Sequence, residues 1–307
     1  MVKLRLLSTY TGYGGAEFIL KKVGIDFEVV SYSEIHSGQI KIYEQNWKGH
    51  NNLGDITKVK IEDVPECDMI TGGFPCQDVS IAGLRDLSKG RTKSVFKLLE
   101  IVKIKKPKYV LLENVQGILS MLDGELLREV IRYLKNIGYA VSYKLLFSKD
   151  YGTPQNRPRV WIAAERDICH FGYNPFPKKE ELKIKVSDLL EKEVDKKYYL
   201  TDKQIEYIKY KSKKRNKPLL KRINPQISTT LSTKQAAADC IFIKDKKGLR
   251  NLTLTESFRL QGFFKDEINI NGIPKTTVIF SAGNGWEQNV GSKIVKKMIH
   301  KKYYTKK

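Results

Sequence analysis

The sequence predicts an α/β fold built around an open sheet, and three features of the chain lead to that prediction. An apolar strand at Lys3–Ser8 is followed by a glycine-rich turn and then by a helix that closes at Gly24. Short apolar strands alternate with amphipathic helices as far as Ala164. Polar residues directly follow several of these strands, and the carboxyl ends of strands are where open α/β sheets bind ligands.

The remaining predicted elements fall into two parts. After the first helix, the pattern predicts a strand at Glu28–Ser33, a helix at Ser37–Asn46, a strand from Met69, a helix at Val95–Ile104, a strand at Tyr109–Leu112, a helix at Glu125–Asn136 and strands at Tyr139–Phe147 and Val160–Ala164. From Cys169 the character changes to a proline-containing linker, a charged stretch with a helix at Thr201–Lys211, small strands within Ile227–Ile243, a capping box from Thr253 and a basic helix at Val290–His300.

The net charge of +22 over 307 residues predicts a polyanionic partner. An alternative is the amino-acid usage of an A·T-rich genome, which produces abundant lysine without selection for binding. The placement of the charge favours the first interpretation, because K-S-K-K-R-N-K-P-L-L-K-R, from Lys211 to Arg222, contains no acidic residue. A solvated face usually mixes both signs, so a run of one sign favours contact with phosphates.

The sequence shows neither a secretory signal nor a membrane span, because no stretch approaches the roughly 18 apolar residues that a span needs. We therefore expect a soluble, intracellular protein. Cys67, Cys76, Cys169 and Cys240 lie far apart, and the histidines show no ligand spacing beside them. Neither a disulfide framework nor a zinc site is expected.

The turn after the first strand reads T-Y-T-G-Y-G-G and contains Gly12, Gly14 and Gly15. Small residues at this point would let the backbone approach a nucleotide, with the dipole of the following helix facing it. The spacing is not the dinucleotide pattern G-x-G-x-x-G, so a tight structural turn is an equal alternative.

Two carboxylates follow the next strands. Glu34 lies at a place where an acidic residue can accept the ribose hydroxyls of an adenosine, although it could instead belong to the start of the next helix. Asp55, in L-G-D-I-T, could accept the adenine amino group or could be a turn residue.

The stretch M-I-T-G-G-F-P-C-Q-D-V-S, Met69–Ser80, places Cys76 after a short apolar strand, two glycines and Pro75. Pro75 fixes its own φ, and a helix beginning after Cys76 would favour the thiolate over the thiol. Cys76 is therefore a candidate nucleophile. The alternative is a small buried hydrophobe, the usual role of a lone cysteine. The polar segment Ile81–Thr92 has the composition of a mobile lid or of a plain surface loop.

Glu113 and two arginines complete the set of polar candidates. Glu113 follows the apolar strand Tyr109–Leu112, where burial would raise the pKa of the carboxyl and let it donate a proton. Arg157 and Arg159 are two residues apart in Y-G-T-P-Q-N-R-P-R, so an extended segment would place them on one face, suited to an anion or a carboxylate. Ordinary surface arginines are an equal alternative.

Taken together, these motifs resemble those of the cytosine-5 DNA methyltransferases of bacteria and phages over nearly the whole chain. The motifs are G-F-P-C-Q (73–77), E-N-V (113–115), Q-N-R-P-R (155–159), R-N-L-T-L-T-E-S-F-R-L-Q-G-F (250–263) and G-N (283–284), in the family's order. The resemblance implies a Rossmann-like, S-adenosylmethionine-dependent methyltransferase domain at residues 1–170 and 280–307. It also implies a small, mostly β or irregular target-recognition domain at residues 171–279.

The resemblance further implies a reaction on a cytosine flipped out of double-stranded DNA. Cys76 would add to C6 of the ring, C5 would take the methyl group of S-adenosylmethionine, and loss of the C5 proton would release Cys76. Glu113 would bond N3 and the amino group of the base, while Arg159 and Arg157 would orient the base and that carboxylate.

Two sets of binding residues come with the resemblance. The cofactor would contact Tyr10, Gly12, Gly14, Gly15, Glu34 (ribose), Ile35, Asp55 (adenine), Ile56, Pro75, Asn284 (methionine end) and Trp286. DNA would contact Gln77, Ser80, Arg91, Lys213, Lys214, Arg215 and Thr230, with the lid closing over the flipped base.

Four positions depart from the family pattern. Ser8 and Tyr10 stand where an acidic residue and a phenylalanine are usual, which changes the rim of the cofactor pocket. Ala82 replaces a hydroxyl residue of the lid, and Trp286 in G-N-G-W stands where G-N-S-V is usual, so that it would crowd or stack on the cofactor.

Three other functions fit parts of the same pattern. A tRNA cytosine-5 methyltransferase shares the scaffold, but its usual C-F-T elements do not occur in this sequence. A catalytically idle DNA-binding relative would not need Cys76, Glu113 and Arg159 together, and a nicotinamide-dependent oxidoreductase would need G-x-G-x-x-G. We therefore expect a monomeric enzyme acting on duplex DNA without a metal or a membrane, in the cytoplasm near the nucleoid and in a restriction–modification setting.

Overall fold

The computed structural model describes residues 2–75, 92–169, 171–214, 216, 219–233, 240–265, 267–300 and 303–305. The chain divides into two compact units. The first unit comprises residues 1–146, 158–178 and 290–307, and the second comprises residues 147–157 and 179–289. The predicted division by function stays a prediction. The compact units differ from it in placing residues 147–157 and 280–289 with the second unit and residues 171–178 with the first.

The strands and helices of the described residues are numbered here in chain order. The strands are β1 Leu4–Thr9, β2 Phe27–Ser33, β3 Met69–Gly72, β4 Tyr109–Val115, β5 Tyr139–Phe147, β6 Gln155–Asn156, β7 Pro158–Arg166, β8 Ser228–Thr229, β9 Ile243–Asp245 and β10 Gly248–Arg250. The helices are α1 Gly15–Val23, α2 Ser37–Asn46, α3 Thr92–Lys105, α4 Glu125–Asn136, α5 Asp202–Lys214, α6 Leu254–Arg259, α7 Lys275–Asn284 and α8 Gln288–Met298. None of these helices is long and apolar enough to cross a membrane.

The first unit is organised around a six-stranded sheet with the strand order β2-β1-β3-β4-β7-β5. β1 runs parallel to β2 and β3, and β3 runs parallel to β4, whereas β7 is antiparallel to β4. In this register Thr9 lies beside Gly72, and Gly72 lies beside Leu112. The carboxyl ends of β1 and β3 are therefore level with each other and with Leu112 of β4.

The central strands are apolar because the sheet is covered on both faces. All four residues of β3 are buried, and β4 is buried from Tyr109 to Asn114, as is typical of parallel strands between two layers of helices. Ile70 packs in one hydrophobic cluster with Leu98 of α3 and Val130 of α4. This core supports the edge at which β1 and β3 end.

Helix α1 shows how short sequence signals set the boundaries of an element. It begins directly after the glycine turn and ends at Gly24, whose left-handed conformation (φ +82°) lets its N–H donate to the carbonyls of Leu20 and Lys21. This is a common way for a helix to close. The predicted end of the helix is confirmed.

The predicted end of β4 at Leu112 is wrong, because the strand continues to Val115. The parallel ladder with β3 does stop at Leu112, but the antiparallel ladder with β7 continues and pairs Glu113 with Trp161 and Val115 with Arg159. Helix α5 likewise extends beyond the predicted Lys211 to Lys214. Both elements continue beyond the last residue of their apolar sequence pattern, because pairing or packing stabilises the additional residues.

The second unit consists of short elements. β6 pairs with β8 in parallel, and β9 pairs with β10 in an antiparallel hairpin. The predicted capping box is confirmed: the Thr253 hydroxyl accepts the N–H of Glu256, and the Glu256 carboxylate accepts the N–H of Thr253. Hydrophobic side chains from β9 and from the turn after α6 meet in one small cluster that includes Ile243 and Leu260.

A buried ion pair stabilises the second unit. The guanidinium of Arg250 donates to both carboxylate oxygens of Glu256, at 2.8 and 2.9 Å, and the side chains are only 2% and 1% exposed. The same carboxylate accepts the N–H groups of Thr253 and Glu191. Removing the carboxylate would leave the buried Arg250 cation with only one carboxylate contact, a longer one of 3.4 Å to Asp245, which is far more costly than losing an exposed pair.

We predict that Glu256→Ala lowers the free energy of unfolding by about 3–5 kcal/mol, because the buried Arg250 guanidinium keeps only its 3.4 Å carboxylate contact with Asp245. Urea unfolding followed by circular dichroism measures this change. The matched control is Glu100→Ala, which breaks the exposed i,i+3 pair with Lys97 (3.0 Å) and should cost less than about 1 kcal/mol. Equal losses in the two variants would contradict the prediction.

Candidate functional site

The glycine turn after β1 has no room for side chains. A Cβ on Gly14 would lie 2.5 Å from Nε1 of Trp47, and a Cβ on Gly12 would lie 2.7 Å from Oε1 of Gln39. Both glycines have positive φ, +61° at Gly12 and +92° at Gly14, which other residues rarely adopt. The turn is thus both conformationally and sterically restricted to glycine at Gly12 and Gly14.

Glu34 closes this turn with its carboxylate. Oε2 accepts the N–H of Gly12 at 2.8 Å, and Oε1 accepts the N–H groups of Ile35 and His36, both at 2.8 Å. A carboxylate offers about four acceptor positions, so these three bonds leave about one for a ligand in this arrangement. The side chain of the predicted cofactor residue Ile35 is 73% exposed beside it.

Asp55 caps a 3-10 turn that begins at Ile56. Its Oδ1 accepts the N–H of Thr57 at 3.0 Å and the Thr57 hydroxyl at 2.8 Å. The side chain of Ile56 is buried in the main hydrophobic cluster, and its role toward the cofactor stays a prediction. The structural role of Asp55 as a cap, which the sequence left open, is therefore observed, and its role toward adenine stays a prediction.

Tyr10 adopts a strained conformation next to these groups. Its φ is +48°, a region that costs a non-glycine residue on the order of 1–3 kcal/mol. Burial raises the pKa of its phenol; the neighbouring Ser94 hydroxyl lowers the pKa and the charge of Asp55 raises it. The role of Tyr10 toward the cofactor stays a prediction.

A buried carboxyl lies behind the glycine turn. Glu17 of α1 is fully buried beside the hydroxyls of Ser8 and Tyr43, and burial raises its pKa to about 7, while hydrogen bonds from these neighbours act in the opposite direction. The Tyr43 hydroxyl also lies 3.0 Å from Nδ1 of His50, and burial lowers the pKa of that imidazole. Ser8, where the family pattern has an acidic residue, is thus next to an acid supplied by α1.

The segment that leads to Cys76 is held at its start. The amide of Asn114 in β4 donates to the carbonyl of Phe74 at 2.9 Å, and Phe74 itself is buried in the core. Pro75 follows and is exposed. Cys76 lies outside the described residues, as do Gln77, Ser80, Ala82 and Arg91 of the predicted lid and DNA-contacting set.

Glu113 and Arg159 form a buried ion pair across the ladder between β4 and β7. Nε of Arg159 lies 2.9 Å from Oε1 of Glu113, and the two side chains are 12% and 8% exposed. The guanidinium also donates to the carbonyl of Pro158 at 2.8 Å. Glu113 directly follows Leu112, where the ladder between β3 and β4 ends. The pair therefore lies at the sheet edge where β3 leads into the Cys76 segment.

Arg157 has other partners. Its guanidinium donates to the carbonyls of Gly283 and Gly285 at 2.9 and 2.7 Å, at the carboxyl end of α7, and the side chain is buried. A cation is favourable at this end of a helix dipole. The two arginines therefore hold different groups, and whether Arg157 also orients a base stays a prediction.

The other predicted binding residues lie in the second unit. Asn284 is exposed at the end of α7, while Trp286 is buried two residues later. Lys213 and Lys214 are exposed in the last turn of α5, and Arg215 lies outside the described residues. The Thr230 hydroxyl donates to the carbonyl of Asn156 at 3.0 Å. Their roles toward the cofactor and DNA stay predictions.

Three supporting residues are not indicated by the motifs. Gln39 and Trp47 act on the glycine turn from α2 and its end, and nothing in their spacing reveals that contact. Asn114 is different, because a polar residue inside E-N-V directly after an apolar run is a signal for a role at a strand end. No cluster of three or more His, Cys, Asp or Glu side chains in the described part of the chain could hold a metal ion.

The whole chain can be compared with known proteins. Residues 4–300 match the model of the family described as C-5 cytosine-specific DNA methylase. Type II methyltransferase M.Bsp6I of Bacillus sp. (strain RFL6) is 29% identical over 92% of this chain and 94% of its own. Type II methyltransferase M.DsaV of Dactylococcopsis salina is 32% identical over 85% of this chain and 76% of its own. The chain spans about half, 47%, of the orphan methyltransferase M.Rho11sI of Bacillus phage rho11s, at 32% identity.

Solved structures show the same fold. A Spodoptera frugiperda DNMT2 mutant superimposes with a TM-score of 0.81 at 21% identity, with 96% of this chain and 99% of that chain covered. The S. pombe Dnmt2 methyltransferase gives a TM-score of 0.78 at 19% identity over 96% and 97% of the two chains. At such identities the likeness concerns the fold alone, and it confirms the predicted α/β methyltransferase class.

We predict that the buried Glu17 makes stability depend on pH. Its pKa is about 7 in the folded chain, against an ordinary value of 4.5, so the folded state binds the extra proton between these values. The free energy of unfolding should therefore fall as pH rises from about 5 to 8, by on the order of 3 kcal/mol. Glu17→Gln, which keeps the shape without the charge, should lose this part of the dependence in urea unfolding. Parallel pH profiles for the two proteins would contradict the prediction.

Proposed function

Because the chain belongs to the C-5 cytosine-specific DNA methylase family, it is a methyltransferase, and we propose how its residues transfer a methyl group to C5 of cytosine in duplex DNA. The family predicted from the five motifs is confirmed. The observation that carries the proposed mechanism is the buried pair of Glu113 and Arg159, placed at the edge from which the Cys76 segment leaves. The role of each individual residue in the reaction is part of this proposal.

Cys76 acts as the nucleophile. Its thiolate forms a bond to C6 of a flipped cytosine, which breaks the C5–C6 double bond and makes C5 able to accept a methyl group. After methylation, a base removes the proton from C5, the C5–C6 double bond forms again, and the sulfur leaves as thiolate. The thiolate is thus regenerated and the cytosine keeps the new group.

Glu113 stabilises the base while sulfur adds. Its carboxyl accepts the amino N–H and donates a proton to the ring nitrogen N3, where negative charge increases as the C6–S bond forms. Arg159 holds this carboxyl at 2.9 Å, and its own position is fixed by the Pro158 carbonyl. A partly buried pair of this kind is rigid, because each group would lose its countercharge if it moved.

Asn114 supports the nucleophile from the same strand. Its amide bond to the Phe74 carbonyl ties the start of the Cys76 segment to β4, one residue from Glu113. The base-binding carboxyl and the segment that carries the nucleophile are therefore attached to one rigid strand, which favours a constant reacting geometry.

The first unit fits S-adenosylmethionine, which supplies an electrophilic methyl group when bound. Gly12, Gly14 and Gly15 form the turn that meets the cofactor, and at Gly12 and Gly14 a Cβ would collide with Gln39 and Trp47. Glu34 faces the ribose with its remaining acceptor position, and Ile35 covers the adenine with its exposed side chain. Asp55 accepts the adenine amino group, and Tyr10, Ile56 and Pro75 line the same site.

DNA is the polymer named in the family's description, and the charge of +22 supports a polyanionic substrate. Residues 171–279 form the target-recognition region, in which Lys213, Lys214 and Arg215 contact phosphates and Thr230 lies near the flipped base. The names of the similar type II and orphan methyltransferases support a restriction–modification or phage setting. We infer a cytoplasmic, monomeric enzyme that associates with the nucleoid through this DNA contact.

We predict that wild-type protein transfers tritium from labelled S-adenosylmethionine to unmethylated genomic DNA, but not to tRNA. Cys76→Ser should lower the rate by at least about three orders of magnitude, because a serine hydroxyl does not ionise at neutral pH. Binding of cofactor and DNA should remain. A duplex containing 5-fluorocytosine should form a covalent adduct at position 76, since fluorine at C5 blocks the elimination step.

The matched control is Cys169→Ser, since this cysteine is exposed and has no role in the mechanism. It should keep wild-type activity. Appreciable turnover by Cys76→Ser would refute the covalent mechanism, and label in tRNA alone, or in neither polymer, would refute the proposed substrate.

We predict that Lys213→Ala with Lys214→Ala weakens DNA binding and flattens its salt dependence. Each phosphate contact contributes about 0.9 to the slope of log affinity against log salt concentration, so the slope should fall by up to about 2. Fluorescence anisotropy over a salt series measures it. Lys103→Ala with Lys135→Ala, both exposed in the first unit, is the control and should leave the slope unchanged. An unchanged slope in the first variant would show that these lysines form only a solvated face.

A further inference from the structure

The segment 51–53 runs beside the end of β2. The Tyr32 N–H donates to the Asn51 carbonyl at 2.9 Å, and the Leu53 N–H donates to the Tyr32 carbonyl at 2.7 Å. These bonds form a parallel bridge between Tyr32 and Asn52. Asn52 is thereby brought next to the carboxyl end of β2, directly before Glu34.

The side chain of Asn52 makes three hydrogen bonds in this position. Its Oδ1 accepts the N–H groups of Glu34 at 3.2 Å and Gly54 at 2.9 Å, and its Nδ2 donates to the Glu34 carbonyl at 3.0 Å. The two N–H donors and the carbonyl acceptor define the orientation of the Asn52 amide. A flipped amide would direct its NH2 group at the two N–H donors. The amide is therefore matched to its surroundings at both ends.

These bonds connect the two carboxylate residues assigned to the cofactor. Asn52 holds the backbone of Glu34 on both sides, and the Glu34 carboxylate in turn accepts the Gly12 N–H at 2.8 Å. Asn52 also holds Gly54, whose φ of +69° directs the chain into Asp55. The Ser33 hydroxyl donates to the Gly54 carbonyl at 2.7 Å and fixes the same residue from β2.

We propose that Asn52 is a positioning residue for the cofactor, because it sets the spacing between the carboxylates of Glu34 and Asp55. This inference rests on the proposed function, in which those two residues bind the adenosine part of S-adenosylmethionine. The binding of DNA and the chemistry at Cys76 depend on other segments. Loss of Asn52 therefore weakens cofactor binding selectively.

The expected loss of cofactor affinity follows from the hydrogen bonds that each substitution removes. Asn52→Ala leaves two N–H groups and one carbonyl without their partner, and each such loss can change affinity by about a factor of ten. Asn52→Asp keeps an acceptor for the two N–H groups but loses the donor to the Glu34 carbonyl. Ser33→Ala removes the second support of Gly54. Asn51→Ala changes the exposed neighbour and is the matched control.

The test uses the full chain and two titrations. Calorimetry with S-adenosylhomocysteine measures cofactor affinity, and anisotropy measures DNA affinity. Asn52→Ala should raise the cofactor Kd, and the KM for S-adenosylmethionine, at least about tenfold, while kcat and the DNA Kd change less than about threefold. Asn52→Asp and Ser33→Ala should give smaller increases of the same kind, and Asn51→Ala should give none.

Several results would overturn the inference. An Asn52→Ala variant with the cofactor Kd of the wild type would overturn it. Parallel losses of cofactor and DNA binding would also overturn it, because they would indicate general destabilisation. If Asn52→Ala does not fold, unchanged cofactor affinity in both Asn52→Asp and Ser33→Ala decides against it. A wild-type protein that binds no cofactor would overturn the proposed function as well, so the two failures are distinguishable.

Discussion

The hydrogen bond from the Gly12 N–H to the Glu34 carboxylate joins the ends of β1 and β2, and the rest of the candidate cofactor site depends on it. Thr9 and Ser33 are neighbours in the parallel ladder, so the two strands deliver the turn and the carboxylate to the same level. The bond then fixes the turn at 2.8 Å, while Trp47 and Gln39 occupy the space where side chains would otherwise lie. The turn is thus held rigidly at the start of α1.

The same level continues through the sheet toward the reactive residues. Gly72 lies beside both Thr9 and Leu112, so the Phe74 segment and Glu113 emerge from the sheet at one edge. The two strands differ at this edge. β3 ends there, whereas β4 continues because it pairs with the antiparallel strand β7. That continuation buries Glu113 opposite Arg159, so the carboxyl that would face the base is held by a strand and not by a loop.

Much of the first unit is predictable from sequence because its signals are local. A glycine ends α1, an apolar run makes β3, and the range Ser37–Asn46 is recovered as α2. The end of β4 is not predictable in this way, because it depends on a ladder with residues far along the chain. Likewise E-N-V points to Glu113, but only the fold shows that Asn114 bonds Phe74, that Arg157 caps α7, or that Asn52 supports Glu34.

The charged groups of this protein serve two tasks: paired groups fix local geometry, and exposed lysines attract a polyanion. Three carboxylates are neutralised close by: Glu34 by three N–H groups, Glu113 by Arg159 and Glu256 by Arg250. These interactions act over a single hydrogen-bond length and lie partly or wholly out of water, so salt screens them little. Most of the excess of +22 lies on lysines, such as those at the end of α5, that are exposed and strongly screened beyond about 8 Å at physiological salt. Salt should therefore weaken capture of a polyanion long before it disturbs the geometry at the sheet edge.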